Sequence, residues 1–79
     1  MDKHEFEQFV TEHGKDILRF CRMNAESTER GNELYQDTMV KLLEKQKKLD
    51  AAQNIKSYAM QTAILLWKAR KIRHRSRHF

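Results

Sequence analysis

Asn32-Glu33-Leu34-Tyr35-Gln36-Asp37-Thr38-Met39-Val40-Lys41-Leu42-Leu43 is the stretch on which the reading of this chain turns. Leu34, Tyr35, Thr38, Met39, Leu42 and Leu43 return at three- and four-residue intervals, leaving Glu33, Gln36, Asp37, Val40, Lys41 and Glu44 to other faces. That spacing is the signature of an amphipathic α-helix, because residues three or four apart share one side of a 3.6-residue turn. Asn24-Ala25-Glu26-Ser27-Thr28 precedes it and is rich in capping types, so a turn there with Ser27 or Thr28 opens the helix, which is expected to run to about Lys48.

Upstream, Phe6, Phe9, Val10, His13, Ile17, Leu18 or Phe20, and Cys21 form a second helical stripe between Lys3 and about Met23. Gly14 falls inside it and weakens that helix by roughly 1 kcal/mol relative to alanine, leaving room for a bend. Downstream, the polar run Leu49-Asp50-Ala51-Ala52-Gln53-Asn54 breaks the pattern, and Asn54 is a suitable N-cap for a third helix from Ile55 to about His74. On this helix Ile55, Ala59, Thr62, Leu66, Ala69 and Ile72 or Arg73 make one stripe. Tyr58, Met60, Ile64, Leu65 and Trp67 spread apolar character over most of the remaining circumference. A helix that is apolar all round is either enclosed by protein or short of a partner, which leaves room for self-association or helix swapping. With no proline and two glycines, nothing enforces the reversals of a β-sandwich. The expected fold is a single all-α, compact three-helix domain over residues 1–79.

The chain has 79 residues, 39% apolar and 34% charged, enough to fold around a thin core but too few to enclose a drug-sized pocket. This counts against a self-contained enzyme. Cys21 is the sole cysteine, which excludes an intramolecular disulfide and is compatible with a reducing cytoplasm, as is the acidic opening Met1-Asp2-Lys3-His4-Glu5, which lacks a signal peptide's character. The longest apolar run, Ala63-Ile64-Leu65-Leu66-Trp67, falls far short of the roughly 20 residues that span a bilayer.

Charge divides the chain sharply. Every carboxylate lies at or before Asp50, giving residues 1–50 a balance of −2, whereas residues 51–79 carry +7. A cationic end bearing Tyr58 and Trp67 is an electrostatic footprint for nucleic acid or an anionic surface, and for the former cations hold phosphates while rings stack on unpaired bases. Trp67 reads as a core ring, and Tyr58, near a polar loop and Lys56, as a ring of the core or of the ligand surface. His74 and His78 share the i, i+4 spacing of a metal pair, but Arg73, Arg75 and Arg77 oppose a divalent ion there. Cys21 sits in an apolar stripe and reads as a packed thiol. Glycine-rich phosphate loops and paired catalytic carboxylates are absent, and no cofactor is expected.

The Asn32–Leu43 stretch resembles the D-L-x-Q-(D/E) helix of conserved region 2 in bacterial RNA polymerase sigma factors. Ile55-Lys56-Ser57-Tyr58-Ala59-Met60-Gln61-Thr62-Ala63, followed by Lys68-Ala69-Arg70-Lys71-Ile72-Arg73, is similar to the aromatic segment and basic trailer that come next in that family. The likeness spans about Phe6 to Arg77 and is nearest to the extracytoplasmic-function (ECF) type.

The resemblance implies a transcription initiation module whose second helix docks on the clamp helices of the polymerase's largest subunit. Glu33, Gln36 and Asp37 would be its polar contacts, and Met39 and Leu43 its apolar ones. It also implies that the loop Leu49–Asn54 and the start of the third helix capture non-template bases of the minus-ten promoter element. Tyr58 would stack on the flipped base, Gln53, Asn54, Lys56, Gln61 and Thr62 would surround it, and Lys68, Lys71, Arg73 and Arg75 would contact phosphates. An anti-sigma factor is a further partner that the family admits.

The chain departs from the ECF pattern at Leu65 and Ala69, where Asn and Asp are usual, and at Arg30 and Asn32, where acids are usual. Gln61 and Thr62 replace the tryptophan pair of primary sigma factors. The minus-35-reading domain has no room after Phe79, so an excised domain or a truncated relative is expected. The competing reading is a helical adaptor or anti-regulator with a basic tail, and behind it a generic RNA-binding or helix-turn-helix fragment.

Overall fold

The computed structural model describes residues 1–50 and 52–77, with side chains through Arg70. Three helices pack mutually: α1 (Lys3–Asn24), α2 (Thr28–Glu44) and α3 (Ile55–Arg77), with a short 3₁₀ turn at Gln46–Lys48 between the last two. No strand occurs among the described residues. The all-α, three-helix fold read from the periodicity is therefore the fold observed.

Local chemistry sets each helix start. Asp2 caps α1 through a reciprocal box: its carboxylate accepts from the Glu5 amide at 2.8 Å, and the Glu5 carboxylate accepts from the Asp2 amide at 3.1 Å. Ser27 caps α2, its hydroxyl accepting from the Arg30 amide at 3.2 Å. Asn54 opens α3, its Oδ1 accepting from the Ser57 amide at 3.1 Å. The first of these caps lay unread in the Asp-x-x-Glu spacing; the other two match the expected positions.

The core joins Phe9, Ile17 and Cys21 of α1, Leu34 and Leu42 of α2, Ile55, Ala59 and Ala63 of α3, and Leu49 from the connector. Thr38 is the one buried polar side chain among the described residues, and its hydroxyl is satisfied by donating to the Leu34 carbonyl at 2.7 Å. Ala59 and Ala63 stand one turn apart and, being small, let α3 settle closely against the other helices.

Three expectations are corrected. The α-helical part of α2 stops at Glu44 rather than near Lys48, because the chain tightens into the 3₁₀ turn that brings Leu49 into the core. Leu43, placed in the buried stripe by its spacing, is 56% exposed. Leu42 takes the core position, and a step of about 100° carries its neighbour outward. Thr62 and Leu66 are only partly buried and Ala69 is exposed, so the innermost line of α3 is Ile55, Ala59 and Ala63.

Gly31 sits against the backbone of α1, and Gly14 lies under the tip of a side chain from α2. A Cβ on Gly31 would lie 2.6 Å from the Arg22 Cα, and one on Gly14 would lie 3.2 Å from the Tyr35 hydroxyl. Both are buried in the helix pair. Gly14 is thus a packing position for α2, not just a weak point in α1.

Candidate nucleic-acid and protein interfaces

Two surfaces collect the residues singled out from the sequence. The first is the outward side of α2. Glu33, Gln36 and Asp37 are exposed there, and Val40 and Leu43 add apolar area at 53% and 56% exposure. Met39 turns inward and packs against the core, apart from the exposed Leu43. The face thus offers carboxylates, an amide and two aliphatic side chains on successive turns, a pattern suited to a partner with both cationic and apolar groups.

Its carboxylates are not isolated. Arg70 of α3 reaches across α2, placing Nη2 3.1 Å from the Asp37 carboxylate and Nη1 3.5 Å from that of Glu33. Arg30 adds a third contact, 3.3 Å from Glu33. No local pattern encodes this bridge, since Arg70 stands 33 and 37 positions away from its partners.

The second surface is a groove between α2 and α3. Tyr58, Gln61, Thr62, Leu65 and Leu66 form its α3 side, Lys41 and Lys45 its α2 side, and it encloses about 240 Å³. Tyr58 is half-buried against the core with part of its surface in the groove. The Thr62 hydroxyl donates to the Tyr58 carbonyl at 2.8 Å, so one turn of α3 is braced at the aromatic. Leu65, 67% exposed, makes the rim apolar. Lys41 also pairs with Glu44 at 3.8 Å. Trp67, like Tyr58, is half-buried against the core.

Gln53, Asn54 and Lys56 do not join this groove. They line a separate depression against α1, together with Glu12 and His13. Each is engaged locally: the Gln53 side chain accepts from the Asp50 amide at 3.4 Å, Asn54 caps α3, and Lys56 donates to Asp16 at 2.9 Å. The Asp50 carboxylate accepts from the Ala52 amide at 3.0 Å, and the Met1 ammonium donates to the Leu49 carbonyl, so the connector is held from both sides. Lys56, through its hydrogen bond and then its charge, holds the Asp16 carboxyl below its ordinary value.

Lys68 is exposed on α3. The side chains of Lys71, Arg73, His74 and Arg75, and the whole of His78, lie outside what the structure describes. Cys21 is fully buried, and burial pushes its thiol pKa up against a smaller opposing hydrogen bond with Thr38, which suits a packing role. Among the described residues no group of three or more His, Cys, Asp or Glu could hold a metal ion, and no helix is long and apolar enough to cross a membrane.

A family model for Sigma-70 region 2 matches residues 9–78. No curated protein and no solved structure matches the chain.

Proposed function

Because the chain belongs to the Sigma-70 region 2 family, a family of non-enzymatic transcription initiation factors, we propose that residues 1–79 act as one module joining core RNA polymerase to a melted promoter. The outward face of α2, with Glu33, Gln36, Asp37, Val40 and Leu43, docks on the clamp helices of the largest subunit. Met39 supports that face from within. The groove at Tyr58 takes an unpaired base of the non-template strand at the minus-ten element, Gln61 and Thr62 border it, and Lys68, Lys71, Arg73 and Arg75 follow the backbone. Gln53, Asn54 and Lys56 shape the connector that presents the start of α3.

The observation that carries this reading is the convergence of Tyr58, Gln61 and Thr62 with two lysines of α2 in one groove. An aromatic beside cations is the combination that holds single strands, since the ring stacks on a base while ammonium groups meet the flanking phosphates. The order and spacing of the α2 and α3 motifs support placement in the ECF type, and with that type go a cytoplasmic setting and control by an anti-sigma factor. The exposed Ile64 and Leu65 support self-association of the free domain. The adaptor reading is not favoured by the family match.

The test is binding of a fluorescent single strand carrying a minus-ten-like sequence, titrated at several salt concentrations. Affinity should fall steeply with salt, because each phosphate contact displaces condensed counterions. Affinity that is unchanged between low and high salt would contradict the proposal.

A further inference from the structure

Arg70 pairs with the docking face of α2 and stands one turn along α3 beyond Leu66, which lines the groove, without having been assigned to either surface. It belongs to the cationic end of α3, three positions before Arg73, yet its guanidinium spans Glu33 and Asp37, which stand one turn apart on the docking face of α2. The fork fits this spacing: two nitrogens of one planar group meet two carboxylates at 3.5 and 3.1 Å, with the Arg70 side chain 34% exposed. The group is therefore open to exchange with solvent or another ion. Arg30 is the other cation on Glu33, whereas Arg70 is the only cation paired with Asp37 among the described residues.

Resting on the reading above, we propose that Arg70 is an exchangeable phosphate contact that couples the two surfaces. In the free domain it is held by the docking carboxylates, and a cationic partner surface that takes over Glu33 and Asp37 releases it to a phosphate of the single strand. The same guanidinium cannot serve both anions fully, so neutralising the carboxylates and binding a phosphate favour each other. Linkage makes this reciprocal: a strand that holds Arg70 leaves Glu33 and Asp37 open for docking. Bringing α2 to its partner would thereby strengthen the grip of α3 on nucleic acid with no change of fold.

A double-mutant cycle on single-strand binding tests it. Affinity for a fluorescent minus-ten-like oligonucleotide is measured for the wild type, Arg70→Gln, Glu33→Gln/Asp37→Asn, and the triple variant, across a salt series. If Arg70 is held in check by its partners, Arg70→Gln costs little in the wild type and about threefold more in the neutralised background, a coupling typical of exposed charged groups in contact. The slope of log affinity against log salt should also steepen by about 0.7 in the neutralised protein and return in the triple variant, the value for one added single-strand phosphate contact. A general effect of net charge predicts the same cost for Arg70→Gln in both backgrounds, and that result overturns the proposal. Absence of strand binding by the wild type would instead sink the functional reading on which it rests.

Discussion

Gly31 of α2 lies directly against the backbone of Arg22 in α1: a methyl group at Gly31 would sit 2.6 Å from the Arg22 Cα and 2.7 Å from its Cγ. No side chain fits at those distances unless the helices part. Gly31→Ala should therefore destabilise the domain by about 1–3 kcal/mol through overpacking, even after the roughly 1 kcal/mol that alanine contributes to helix propensity. At Gly14 the nearest atom is the Tyr35 hydroxyl at 3.2 Å, the far end of a side chain that can move. Gly14→Ala should be neutral or mildly stabilising. Urea unfolding of the two variants checks the contrast, and equal effects would show that the helices do not approach as described.

Leu49 anchors the connector from its only apolar side chain before the turn. Leu49→Ala should cost about 2–5 kcal/mol, the usual range for a buried leucine. A surface position would lose under about 0.5 kcal/mol in the same measurement.

The Asp16–Lys56 pair gives a pH dependence of known sign. Asp16 titrates below its ordinary value in the folded state, so its contribution is fully present above the usual carboxylate range and is lost as pH falls through the lowered value. Thermal midpoints of the wild type and Asp16→Asn should converge on acidification and also as salt is added, since the pair is exposed. A difference that grows towards acid pH would contradict the pairing.

Tyr58 separates stacking from packing. Tyr58→Ala should weaken single-strand binding by about 1–3 kcal/mol, whereas Tyr58→Phe keeps the π-face and should retain most of the affinity. Fluorescence anisotropy with a minus-ten-like strand checks this, with circular dichroism to confirm that both variants fold.

Helix positions and types were legible because they are written in local spacing: the α2 stripe, Ser27 and Asn54 all lie within a few residues of what they determine. The end of α2 was not, since Gln46, Lys47 and Lys48 suit a helix well and only the burial of Leu49, a tertiary event, turns the chain early. Gly31 gave no sign of its role because that depends on Arg22 in another helix. The site was legible in its residue types and less so in its grouping. Tyr58, Gln61 and Thr62 share a helix face and meet as their spacing suggests. Lys56 pairs with a residue 40 positions away and Arg70 with two more than 30 away, pairings that no local pattern encodes.

Engagement of core RNA polymerase by the outward face of α2 is measured by equilibrium binding of the purified domain to core enzyme. The wild type should bind, and the Glu33→Ala/Gln36→Ala/Asp37→Ala variant, folded by circular dichroism, should lose most of that affinity. Binding unaffected by the triple substitution, or no binding by the wild type, would contradict it.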